Sequence, residues 1–245
     1  MTNYNPKTDD FTRLLGEVES AAGYVFKERS LLLEAVTHSS YLLENSRYTV
    51  CNERLEFLGD AVLELEVSRR LFAEELNAAE GELTVARALL VDEEANAQHA
   101  VQLGLDKVLL LSRGENLTGG RQRRSILGDL YEAFLGAVYS DGGMDAAAGV
   151  IARVLPEISV WRQRARLANA KGELQEYCQG QLQCRPAYVN ERREGAVHQP
   201  RFEVDVEVNG EIVGSGSGAT KKEAQQHAAA QALENLRRRN EASAE

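Results

Sequence analysis

The apolar periodicity of this chain changes once along its length, and that change divides what it can fold into. Through the first two thirds, apolar residues recur at helical intervals in segments near 10–22, 30–44, 52–76, 82–104, 125–140 and 144–164, with no alternating run between them. Leu55, Leu58, Val62 and Leu65 form one such stripe, expected to face a core. After Trp161 the sequence turns polar and basic (RQRARLANAK), and from about Lys171 a different pattern begins. Residues 171–182 suit a helix, and a strand is expected around 187–191. Phe202, Val204, Val206 and Val208 then alternate with Glu203, Asp205 and Glu207. Asn209-Gly210 follows, a pair that closes tight hairpins because both residues tolerate positive φ. Residues 220–237 read as an alanine-rich helix. The expected fold is therefore an all-α domain over 1–166 and a small α+β module, α-β-β-β-α, over 167–240, with 241–245 as a tail.

A chain of 245 residues, 43% hydrophobic, can bury one substantial core and one small one. No stretch approaches the roughly 18 apolar residues of a membrane span. The opening MTNYNPKTDDF lacks the basic-then-apolar order of a secretory signal, so the cytoplasm is the expected location. Cys51, Cys178 and Cys184 are odd in number and show no paired metal spacing, which argues against a disulfide framework or a zinc site; they read as ordinary thiols. The formal net charge of −10 argues against an anionic partner unless positive charge is concentrated locally.

Two groups of carboxylates carry the chemical interest. NERLEFLGDAVLELE places Glu53, Glu56 and Asp60 three and then four residues apart, along one side of a helix, where like charges repel. Leu55, Phe57 and Leu58 between them are expected to anchor that helix in the core. Asp129 and Glu132 sit three apart in SILGDLYEAFLGAVY, again among apolar residues. Two such helices facing each other would offer hard oxygen ligands to Mg²⁺, with Mn²⁺ as a substitute. A pair of ions about 3.5–4 Å apart could stabilise the attacking and leaving oxygens of a phosphodiester. Spacing alone leaves open an ordinary solvated face, and Glu64 continues the same stripe.

The run Glu53-Arg54-Leu55-Glu56-Phe57-Leu58-Gly59-Asp60-Ala61-Val62-Leu63 closely resembles the signature of the ribonuclease III family. Other blocks agree in order: Tyr24-Val25-Phe26, Leu31-Leu32 and Ala35 through Tyr41; Glu80 through Thr84; Gly119-Gly120-Arg121; and Ser125 through Ala137. The resemblance spans about 14–238. It implies metal-binding acids at Glu56, Asp60, Asp129 and Glu132, with Glu53 accessory and Glu64 excluded. Glu80 matches an acid near the family's cleavage site, whereas His38 is expected to serve a helix terminus or packing rather than catalysis. It further implies a homodimer through the helical domain, cutting both strands of double-stranded RNA to leave 5′-phosphates, 3′-hydroxyls and two-nucleotide 3′ overhangs, with ribosomal precursors and structured messages as substrates.

Residues 169–236 resemble a double-stranded-RNA-binding domain, a module that spans about 16 bp and reads A-form shape. The resemblance implies RNA contacts from Gln175 and Gln179 on the first helix, His198 in the loop GAVHQPRF, and Lys221 and Lys222 at the start of the second helix. Residues 169–245 nevertheless hold ten Lys plus Arg against twelve Asp plus Glu, a net of −2, so binding must be local. Lys221, Lys222 and Arg237-Arg238-Arg239 are the expected sources of positive potential. Gly172 and Gln225 depart from the family's usual threonine and lysine. Two rivals differ in class. A non-catalytic dimeric RNA-binding protein would lack one of the acids, and none is missing; a helical scaffold would take up no metal.

Overall fold

A computed structural model describes residues 9–76, 78–155, 158–194 and 200–242, for 158–166, 168 and 241–242 in backbone only. His198 lies outside the described residues. In chain order the helices are α1 (Asp9–Ala22), α2 (Arg29–Ala35), α3 (Ser39–Leu42), α4 (Glu53–Glu74), α5 (Glu80–Leu90), α6 (Glu93–Gln102), α7 (Leu105–Val108), α8 (Arg113–Leu117), α9 (Arg124–Val154), α10 (Ile158–Tyr177) and α11 (Lys221–Ala242). Three strands, β1 (Ala187–Glu194), β2 (Arg201–Val208) and β3 (Glu211–Gly218), lie between the last two helices. The chain forms two compact units, the first ending with α9 and the second built from α10 onward together with 79–85.

The core of the first unit is α9, with α4, α6 and α2 packed on it. Residues 133–138 of α9 are all buried, so this stretch of the helix is apolar on every side because it is covered on every side. Against α4 the approach is closer than side chains allow. A β-carbon at Gly59 would lie 1.7 Å from the Glu132 carbonyl oxygen, and one at Gly136 would lie 2.1 Å from that of Leu55. Two glycines in helix interiors, each about 1 kcal/mol worse than alanine there, are thus accounted for by direct backbone contact. This crossing brings Glu56 and Asp60 on α4 beside Asp129 and Glu132 on α9.

Several expectations need correction. The helix expected over 30–44 breaks because Thr37 pairs with Leu110 in a parallel bridge, and His38 then caps α3 by accepting from the Ser40 backbone N–H. The helix expected over 82–104 is α5 and α6, divided where Asp92 accepts from the Ala95 N–H at 2.7 Å. The helices expected over 125–140 and 144–164 meet at Gly143, at φ 76° and ψ −172°, and the second ends at Val154. No break occurs at 171: α10 runs through it, because Arg, Ala, Leu and Lys are all good helix formers whatever their polarity. The buried face of α4 is Leu55, Gly59, Val62, Leu63, Glu66, Val67 and Leu71. Leu65 is 60% exposed and Phe57 82% exposed, so neither anchors the core. The close approach at Gly59 rotates the buried face away from them.

In the second unit the strands form an antiparallel meander in the order β1-β2-β3. Asn209 (φ 53°) and Gly210 (φ 83°) turn the β2–β3 hairpin as their pairing predicts. Val204, Val206 and Val208 are buried, while Glu203, Asp205 and Glu207 occupy the more open face. Gly214 and Gly216 of β3 leave room for α11: a β-carbon at Gly214 would lie within 2.6 Å of the Ala228 and Ala232 backbones, and one at Gly216 within 2.4 Å of those of Ala224 and Ala228. Alanine on the helix and glycine on the strand make this a thin interface. The turns of α10 and the segment beyond it contribute Ala170, Leu174 and Cys178 to the same core.

Candidate metal centre and nucleic-acid interface

Glu56, Asp129 and Glu132 each offer a carboxylate oxygen, and the three oxygens lie within 4.8 Å of one another. Two come from adjacent turns of α9 and one from α4 across the glycine crossing. Asp60 stands outside that group and is exposed, as is Glu53. Both still act by charge. Burial pushes Glu56 above its ordinary range, helped by Asp129, Glu53 and Asp60. Burial raises Asp129 too, against the pull of nearby His38. Glu132 is pushed up to about 7, by burial first and then by Asp60, Asp129 and Glu56.

Among the described residues, no Lys or Arg pairs with Glu56, Asp60, Asp129 or Glu132; the one side-chain donor to them is neutral, Asn96 Nδ2, at 2.8 Å from Glu132 Oε1. Partly buried carboxylates that repel one another, with no internal cation, form a donor set that can hold a hard divalent ion. Two α6 residues escaped the sequence reading: Asn96, 1% exposed, and Glu93, whose charge raises Asp129. Neither lies within a carboxylate stripe, so periodicity gave no signal for them. Glu80 opens α5 and accepts from Thr84 Oγ1 at 2.8 Å. Glu64 is exposed.

The second unit presents a different electrostatic arrangement. Gln175 and Gln179 are exposed, Gln179 within a π-helical turn over Cys178–Leu182. Lys222 is exposed at the start of α11. Lys221 Nζ, however, is 2.6 Å from Glu191 Oε2 of β1. Gln225 donates to the same carboxylate at 3.2 Å and accepts from Lys171 Nζ at 2.6 Å, and Lys171 lies 4.7 Å above the Tyr188 ring. Lys221 foremost holds Glu191 below the usual carboxylate range, with Gln225 and Lys171 adding to it. Glu191 reaches α11 from a bulged part of β1, next to Asn190 at φ 52°. A groove of about 230 Å³ beside this network is lined by Lys171, Gly172, Gln175, Arg185, Pro186 and Tyr188. The three arginines expected as sources of positive potential lie on α11, and each faces an acid: Arg237 with Glu173 at 3.4 Å, Arg238 with Glu234, and Arg239 with Glu211 at 3.0 Å.

Residues 28–158 match the family model described as ribonuclease-III-like, and 170–236 match the double-stranded RNA binding motif. Ribonuclease 3 of Shouchella clausii is 40% identical over 92% of this chain and 87% of its own length. Ribonuclease 3 of Geobacillus kaustophilus is 42% identical over 90% of each. Among solved structures, the nuclease domain of ribonuclease III from Campylobacter jejuni superposes with a TM-score of 0.54 at 39% identity, covering 57% of this chain and 94% of that one. The chain belongs to the ribonuclease III family. It is an endoribonuclease of the double-stranded-RNA class, a helical nuclease domain followed by a double-stranded-RNA-binding domain. No helix among the described residues is long and apolar enough to cross a membrane.

Proposed function

We propose that this protein is a cytoplasmic, Mg²⁺-dependent homodimer that hydrolyses phosphodiesters in both strands of double-stranded RNA, with Mn²⁺ able to replace Mg²⁺. The observation that carries the reading is the meeting of Glu56, Asp129 and Glu132 oxygens within 4.8 Å, drawn from two helices whose backbones touch. Residues 1–166 form the catalytic and dimerisation domain and 167–240 the RNA-binding domain, followed by the tail 241–245. The products are 5′-phosphate and 3′-hydroxyl ends with two-nucleotide 3′ overhangs, in the processing of ribosomal precursors and structured messages.

Glu56, Asp129 and Glu132 would hold the ion, with Asp60 closing the site from the exposed edge and Glu53 adding charge. A bound divalent ion supplies a water nucleophile at neutral pH and polarises the phosphoryl oxygens. The chain's part is to fix the carboxylates in place and to surrender the proton that Glu132, raised to about 7, holds in slightly acidic solution. Gln175, Gln179, His198, Lys221 and Lys222 would hold the duplex through its phosphates and minor groove. Homodimerisation is supported by the exposed apolar side of α4, where Phe57, Leu65 and Phe72 share one face at 82%, 60% and 75% exposure. The Campylobacter jejuni nuclease domain is described as having a region involved in dimer formation.

The test is cleavage of a labelled duplex by wild type and Glu132→Gln, with binding measured in Ca²⁺. Loss of cleavage with binding kept supports the reading. A wild-type protein that binds the duplex and leaves it intact in Mg²⁺ overturns it.

A further inference from the structure

Asn96 sits in the first turn of α6, 1% exposed, where α6 packs on α9. Its Nδ2 donates to Glu132 Oε1 at 2.8 Å and reaches the Val91 carbonyl at 3.3 Å. Its Oδ1 is buried without a protein partner. An apolar residue would spare the protein that orphaned oxygen, and the neighbouring buried positions along α6 include Ala97 and Ala100. An unsatisfied buried polar atom is tolerated where the same side chain does something an apolar one cannot. Here that is donation to a carboxylate held among three others.

The choice of an amide is informative. Leucine would leave Glu132 Oε1 without this donor. Lysine or arginine would neutralise the carboxylate and compete with a metal for it, and aspartate would add one more repelling charge. A neutral donor alone can hold Glu132 by one oxygen while leaving the negative charge of the cluster intact. The grip comes from a third helix: α6 packs on α9 in ordinary van der Waals contact, a β-carbon at Gly128 lying 3.8 Å from the Asn96 β-carbon.

We propose that Asn96 is a positioning residue for the metal site, holding Glu132 in the orientation that groups it with Glu56 and Asp129. The inference rests on the metal-dependent reading given above. Partners that orient metal ligands from outside the coordination shell typically change affinity 10–100-fold when removed.

Calorimetric titration of the full-length, RNA-free protein with Mn²⁺ tests it. Asn96→Leu is expected to weaken Mn²⁺ binding about 10-fold. Ala97→Val, at a buried position on the same helix that offers Glu132 no hydrogen bond, is expected to bind as wild type does within about 2-fold while lowering Tm. Asn96→Ala, which adds no bulk, serves as the second variant and is expected to show the same loss as Asn96→Leu. Wild-type affinity in both Asn96 variants overturns the inference. So does an equal loss in Ala97→Val, which would make the effect one of helix packing. No Mn²⁺ uptake by wild type overturns the metal reading itself, and this inference with it.

Discussion

The two acidic regions of this molecule are built from the same kind of side chain and are opposite in character. In the second unit, Glu191, Asp205 and Glu211 are held below their usual range by partners: Glu191 by Lys221, Asp205 by Ser215 and Asn190, Glu211 by Arg239. In the first, Glu56, Asp129 and Glu132 are all pushed above it, by burial and by neighbouring acids. The difference lies in which cation completes the charge. Glu191 and Glu211 find theirs within the chain and Asp205 is held by neutral donors, whereas among the described residues no Lys or Arg pairs with Glu56, Asp129 or Glu132. Carboxylate spacing in a sequence therefore says little until the neighbouring cations are known.

The sharpest way to break this comparison is to remove a carboxylate from the cluster. Glu132→Gln is expected to lower the cleavage rate about 10³-fold, equivalent to several kcal/mol of charge stabilisation, with duplex affinity in Ca²⁺ unchanged. A residual rate within about 10-fold of wild type would detach the raised carboxylates from catalysis. Next in size is the crossing that assembles them. Gly59→Ala drives a methyl group into the Glu132 carbonyl and is expected to destabilise by about 2–3 kcal/mol in urea unfolding.

The raised proton affinity of Glu132 gives a pH test in the metal-free protein. Its folded value of about 7 exceeds the ordinary 4.5, so the ionised form is disfavoured by folding. Stability is then fullest below about 4.5, declines across 4.5 to 7, and is level above that as far as this group is concerned. Relative to Glu132→Gln, wild type should lose on the order of 1–2 kcal/mol between about pH 5 and 8, a figure reduced for solvent screening of a partly exposed group. A loss that grows with falling pH would reverse the assignment.

The smaller predictions concern the RNA-binding face. Lys221→Ala with Lys222→Ala should weaken duplex binding and reduce the salt slope by about 0.9 for each phosphate left unneutralised. Glu191→Gln should do the reverse for Lys221, freeing it from its internal partner at 2.6 Å and tightening binding by a few-fold, under about 1 kcal/mol. Weaker binding in Glu191→Gln would mean that the carboxylate holds Lys221 in place for RNA instead of competing with it.

Much of this was legible in the residues. The strand alternation at 202–208 and the Asn209-Gly210 turn appear where spacing put them, and of the acids in the two signature segments Glu56, Asp129 and Glu132 come together while Asp60 and Glu53 stand outside that group. What was not legible depends on contacts distant in sequence. The break at Thr37 exists because of Leu110, some seventy residues on. The rotation that exposes Phe57 follows from the Gly59–Gly136 contact, which no single helix reveals. Asn96 belongs to no carboxylate pattern, and the pairing of Lys221 with Glu191 depends on a bulge in β1. Polarity misled at 162–171, since a polar run of strong helix formers remains a helix.

The glycine crossing also bears on how this protein can change over generations. Main-chain atoms cannot be trimmed or enlarged by substitution, so the gap between α4 and α9 is a stop that side-chain exchange elsewhere in the core does not reset. Drift among the surrounding leucines and valines can lower abundance by weakening the fold, yet the molecules that remain folded keep the same calibre at their acidic cleft. Selection on yield and selection on chemistry can thus act on separate sets of positions.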